Sequence, residues 1–126
     1  MCSGRFMTRR YLTTQEADSA LRRGKSVEIF LGGFEFKGDR YIRWASFTVS
    51  GDVVTGNMWE ALDQGSEDYV DVYTFESPSG EYDEPVKVVT SKNIEGAANH
   101  LGIKELNFVN SGVVQDEYLS YLKSHT

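Results

Sequence analysis

From Asp39 to about Val88 the chain is written in short runs of β-branched and aromatic residues cut by turn residues, at 41–49, 53–62, 68–76 and 85–90. This pattern constrains the fold more than any other feature. The turns Ser50-Gly51-Asp52 and Gln64 to Glu67 are short enough to join antiparallel neighbours, so a four-stranded meander is expected. Residues 77–84, SPSGEYDE, read as a longer and more mobile connection.

Helix signals flank this region. In LTTQEADSALRRG, Thr13 and Glu16 form a capping box, Ala17, Ala20 and Leu21 make an apolar stripe, and Arg22-Arg23-Gly24 supply the cations and glycine of a helix end. A second helix is expected with Ser91 as its N-cap, Ile94, Ala97, Ala98 and Leu101 on one face, and Gly102 as terminator. A last one should run from about Gln115 to Lys123 with Val114, Tyr118, Tyr121 and Leu122 as its stripe. Ser26 to Gly33 carries two signals. Val27, Ile29 and Leu31 alternate like a strand, whereas Ser26 and Gly32 bracket a short helix, which is the reading favoured here. The expected architecture is α+β: an antiparallel sheet of about four to five strands in a meander, with three to four helices packed on one face.

At 126 residues the chain has the length of one domain. Residues 1–9 are expected to be a flexible tail and 10–126 a single α+β domain. A hydrophobic fraction of 40% and an aromatic fraction of 13% belong to a folded chain rather than a disordered one. No apolar run approaches the ~20 residues that span a bilayer, and MCSGRFMTRRY lacks an apolar signal-peptide core, so the expected location is the cytoplasm. Cys2 is the only cysteine, which excludes an internal disulfide and a thiolate zinc cluster.

Charge is unevenly placed. Residues 1–43 hold nine Lys or Arg against five acids, whereas 44–86 hold ten acids and no Lys, Arg or His. Folding does not require such a segregation, and like charges repel. A solvated acidic face that aids solubility is one reading, and a docking surface for a basic partner is the other. The densest part, GSEDYVDVYTFESPSGEYDEP (65–85), combines seven carboxylates with four aromatic rings. If 68–76 is a strand, Val70, Val72 and Thr74 share the buried side, and Tyr69, Asp71, Tyr73 and Phe75 share the other. Trp59 of the preceding strand would extend that aromatic and acidic patch. Alternatively the rings fill a second small core beneath the N-terminal segment, in which case Asp71 needs Arg43 or another cation opposite it.

Catalytic motifs are weak. MCSGRF has Ser3 between the cysteine and the glycine, unlike the MCGRF start of abasic-site-sensing peptidase-like proteins, so Cys2 is not assigned as a nucleophile. His100 lies near a helix end, where interaction with terminal carbonyls is common, and His125 lies in the tail. Asp63, Glu67, Asp68 and Asp71 lack the spacing and central glycine of an EF-hand loop. Gly32-Gly33 is not followed by the Lys-Ser/Thr of a phosphate loop. The net charge of −6 argues against nucleic acid as a partner. No catalytic residue, metal or cofactor is assigned.

Taken in order, RRGKS at the end of the first helix, IFLGG, YIRWAS, EDYVDVYTF and NFVNSGVVQDEY resemble immunity proteins of bacterial contact-dependent growth inhibition systems, over about residues 10 to 124. The resemblance implies a cytoplasmic binding protein, not an enzyme, that neutralises a toxin domain delivered by a sibling cell, often a nuclease with a basic cleft. Under that reading Glu60, Asp63, Glu67, Asp68, Asp71 and Glu76, together with Trp59, Tyr69 and Tyr73, meet the toxin. Alternatives are a DNA-mimic inhibitor, with acids at phosphate spacing, and a small ligand-binding domain, with a pocket of converging polar groups. The docking reading requires that Arg40, Arg43 and the N-terminal cations do not neutralise the acidic surface.

Overall fold

A computed structural model describes residues 11–76 and 84–124. The N-terminal tail, Cys2, the 77–83 part of the acidic stretch and His125 fall outside the described residues. The order is α1 (Thr14–Arg22), β1 (Val27–Phe36), β2 (Asp39–Ser50), β3 (Val53–Leu62), β4 (Lys87–Ser91), α2 (Ile94–His100), β5 (Val109–Asn110) and α3 (Val114–Ser124), with one 3₁₀ turn at Val72–Thr74. The strands form one open antiparallel sheet in the meander-like order β4-β3-β2-β1-β5. The α+β class and the antiparallel meander are as expected, and α1 and α2 pack together on one sheet face.

Local chemistry accounts for the helix ends. Thr13 Oγ1 accepts from the Glu16 N–H at 3.1 Å while the Glu16 carboxylate accepts from the Thr13 N–H at 2.9 Å, closing the expected capping box. Gly24 follows in the left-handed region, φ 83°. In α2 the cap is Asn93, whose Oδ1 accepts from the Gly96 N–H at 2.7 Å. The expected cap, Ser91, is instead the last residue of β4, held in register opposite Val54.

Two expected elements are corrected. Ser26 to Gly33 is not a helix, because from Val27 onward it belongs to strand β1, paired with β2 along its length and with β5 at its start. Bracketing residues are a local helix signal, whereas β1 gains a ladder on both edges, and the ladder prevails. The second correction concerns 68–76, which is not a strand, so Gln64 to Glu67 does not turn into an antiparallel neighbour. After Leu62 the chain enters a compact Ω-like loop, residues 63–76. The Leu62 N–H donates to the Glu76 carbonyl and the Glu76 N–H to Gln64 Oε1, both at 2.8 Å, and so close its ends. Within it, Ser66 and Tyr69 exchange backbone hydrogen bonds, the Asp68 N–H donates to Ser66 Oγ, and Thr74 Oγ1 donates to the Asp71 carbonyl. Such local side-chain bonds compete with a ladder. The partner edge is also taken, since β4 occupies β3 from Val54 to Met58.

Central strand β2 is buried on both faces. Ala45 and Phe47 point into a core with Val27, Ile29, Val54 and the apolar stripes of α1 and α2. Ile42 and Trp44 point the other way, into a second core with Ala61, Val72, Phe75, Val114 and Tyr118, supplied by the Ω-loop and α3. A bulge at Leu31 shifts the register between Phe30 and Gly32, with Gly32 at φ 89°. It brings Gly33 opposite Ile42 and under the Tyr121 ring, where an added side chain would force the Tyr121 phenol to shift.

Candidate functional site: an aromatic cleft under the acidic loop

Strand alternation sets Glu28, Phe30, Trp44, Ser46 and Trp59 on the reverse face, because Glu28 pairs with Ser46, Phe30 with Trp44, and Trp44 with Trp59. The Ω-loop crosses this face and plants Val72 and Phe75, three residues apart, into the second core. The expected two-residue alternation of faces is therefore replaced. Val72 and Phe75 are buried, Val70 and Asp71 half-buried, and Tyr69, Tyr73 and Thr74 exposed, each tyrosine at 45%. The second small core does exist, and α3 packs over it, whereas residues 1–10 of the N-terminal segment expected above it lie outside the described residues.

Between loop and sheet lies a cleft of about 310 Å³ walled by Trp44, Trp59, Tyr73 and Phe75, with Glu28 and Ser46 among its polar lining. Two indoles stack at 6.5 Å and 17°, and Tyr73 meets Trp44 edge-on at 6.1 Å. Trp59 Nε1–H donates to Ser46 Oγ at 2.8 Å, which fixes the outer indole. Glu28 is 4% exposed. Its carboxylate accepts from the Tyr73 hydroxyl at 2.7 and 2.9 Å and from the Gly112 N–H at 2.9 Å. Burial pushes the Glu28 carboxyl above its usual range, while those two donors partly hold it down. Burial followed by the bond to Glu28 raises Tyr73, so its phenol remains a donor. Among the described residues no Lys, Arg or His forms an ion pair with Glu28.

A second buried polar node braces the loop. Tyr118, fully buried on α3, donates to Asp63 Oδ1 and accepts from the Gly65 N–H at 3.0 Å. Burial and then the bond to Asp63 raise its pKa. Asp71, which the second-core alternative would have set opposite Arg43 or another cation, accepts from Gln115 Nε2 at 3.2 Å. An amide from α3 satisfies the half-buried carboxylate without a charge.

The nine residues singled out by sequence thus divide. Trp59 and Tyr73 wall the cleft. Glu60 is bound by Arg43, whose Nε donates at 2.8 Å, and Asp63 lies 4.0 Å from Arg40. Arg43 also lies over the Phe34 ring, 4.4 Å from its centroid. Arg43 of β2 therefore pairs closely with one of the expected acids, and Arg40 stands at the edge of ion-pair range from a second. Glu67, Asp68 and Glu76 remain exposed beside Tyr69 on the loop, with Asp71 tied to α3. Sequence reasoning missed Glu28 and Trp44. The alternation of Val27 and Ile29, taken as a strand, would have set Glu28 on the face opposite them.

Compared with known proteins, the chain matches no family model, no curated protein and no solved structure. Other features hold less chemistry. The larger depression of about 730 Å³ beside α1 and the β2–β3 turn mixes Asp18, Arg22, Asp52 and Lys92, and Arg22 is already paired with Asp18 at 2.9 Å. His100 Nδ1 lies 3.2 Å from the Thr90 carbonyl, tied to the neighbouring strand. Among the described residues no group of three or more His, Cys, Asp or Glu is arranged to hold a metal. Nor is any described helix long and apolar enough to cross a membrane.

Proposed function

We propose that this chain is a cytoplasmic immunity protein that binds a basic toxin domain through the Ω-loop and the cleft beneath it. One observation carries the reading. Glu67, Asp68 and Glu76 stand exposed with the 45%-exposed rings of Tyr69 and Tyr73 on a loop from a chain third that contains no cation. Arg40 and Arg43 engage Asp63 and Glu60 and leave those three acids to solvent. Acids steer a basic partner into encounter, and rings that bury a large area at little rotamer cost hold it. The sequence resemblance to contact-dependent growth inhibition immunity proteins points the same way. A DNA mimic fits less well, because an irregular loop with a 3₁₀ turn gives its acids no regular spacing along the surface.

The test uses a basic toxin domain encoded beside the chain, with binding kinetics measured across salt concentrations. Glu67→Lys with Asp68→Lys should slow association by about tenfold at low salt while leaving dissociation nearly unchanged, as expected for exposed steering charges. Co-expression of the chain should also protect cells from that toxin. A complex whose association ignores both salt and the double reversal removes the acidic loop from the interface.

A further inference from the structure

Among the described residues Glu28 is the one buried carboxylate lining the cleft, and its partners do not balance its charge. Tyr73 and Gly112 supply two neutral donors, and among the described residues no cation accompanies them. Leaving a carboxylate this deep without a counter-charge is unfavourable unless something else supplies one. Oε1 accepts from both Tyr73 and Gly112, whereas Oε2 accepts from Tyr73 alone. Oε2 therefore keeps acceptor capacity. The cleft that Glu28 lines is walled by Trp44, Trp59, Tyr73 and Phe75, and aromatic π-faces attract cations, guanidinium being the one that stacks on them best.

We propose that the cleft receives a single arginine side chain from the basic partner, its guanidinium donating to Glu28 and stacking against the Trp44–Trp59 wall. This inference rests on the docking reading and names its central contact. The exposed acids of the loop would guide the partner in, and the cleft would then select one side chain. Position supports this. Tyr73 belongs at once to the exposed loop surface and to the hydrogen bond that holds Glu28, so a guest in the cleft sits directly beneath the surface that meets the partner. The volume of about 310 Å³ falls in the range of small-ligand sites rather than of packing defects.

The decisive probe is N-acetyl-arginine amide, compared with N-acetyl-citrulline amide, its uncharged isostere. Both are titrated into the full chain while the Trp59 indole N–H and the Gly112 amide are followed by NMR. Arginine amide should shift both signals saturably, and the citrulline analogue should bind at least about tenfold more weakly, the order expected when a charge-assisted hydrogen bond is lost. Glu28→Gln should bring the two probes to equal affinity. If that variant does not fold, the contrast between probes on the unaltered chain still decides. Equal affinity for the two probes overturns the proposal, as does an arginine response confined to Glu67 and Asp68. This outcome is separable from the parent reading. A salt-sensitive toxin complex with no arginine response at Trp59 sinks the cleft alone, whereas an arginine response without any basic toxin partner sinks the docking reading alone.

Discussion

The two faces of the sheet are built from different materials. On the α1–α2 face the buried hydrophobic residues are aliphatic or small, with Phe47 and Phe108 meeting edge-on at 5.9 Å, and neither of the acids buried among the described residues, Glu28 and Glu117, belongs to that core. The reverse face is aromatic and threaded with polar bonds: Glu28 to Tyr73, Asp63 to Tyr118, and Asp71 to Gln115. Among the described residues its cover is a loop and one helix rather than two packed helices. Apolar burial of about 25 cal/mol per Å² is non-directional and suits a scaffold, whereas buried polar networks gain little net stability and give specific shape. The contrast teaches that stability and recognition are separated across one sheet, with β2 as the shared wall.

The largest expected effect tests the first half of that contrast. Phe47→Ala removes a ring that is fully buried in the α1–α2 core and should cost about 3–5 kcal/mol in urea unfolding. Arginine-amide binding by the variant that remains folded should be unchanged. A loss below that range would mean that the aromatic face carries more of the stability than its construction suggests. Next in size is Tyr118→Phe, which keeps the packing of α3 but strips Asp63 and the Gly65 N–H of their shared partner. About 1–3 kcal/mol should be lost, as for other buried groups left unsatisfied. Hydrogen exchange should quicken in residues 63–76 before it does in α1 or α2. Uniform quickening across both faces would break the separation.

Legibility in the sequence divides along the same line. Strand β3 occupies the expected residues 53–62, and α1 has its expected capping box and glycine end, because turn residues, caps and alternation are decided by neighbours a few positions away. SVEIFLGG held two local signals in conflict, and only pairing with β2 and β5 resolves them. EDYVDVYTF alternates like a strand, yet the edge it would need belongs to β4, which comes later in the chain. The candidate site shows the same limit. Trp59 and Tyr73 were legible as aromatic members of an acidic run. Glu28 was not, because it meets Tyr73 across a separation of 45 residues and sits in a segment with no other acid beside it. Arg43 and Arg40 lie opposite Glu60 and near Asp63 for a register reason that composition alone does not contain.

The smallest effect is also the most specific to the reverse face. Glu28 has its native pKa raised above the ordinary 4.5, chiefly by burial. The native state therefore binds this proton more tightly than the unfolded chain does. The stability tied to that proton is fully present below the unfolded value and is lost as pH rises through the native one. Other carboxylates of the chain contribute to the pH dependence as well, so the total stability curve does not isolate the effect. The difference between the unaltered chain and Glu28→Gln does, because the variant lacks this one titration. Followed by urea unfolding from below the ordinary carboxylate pKa up to neutrality, the unaltered chain should lose ground steadily against the variant. Tyr73→Phe should enlarge that loss, since Glu28 then keeps only the Gly112 N–H to stabilise its charge. A flat difference across the range would mean that the carboxylate is already compensated, and the cleft would then have no unmet charge to offer a guest.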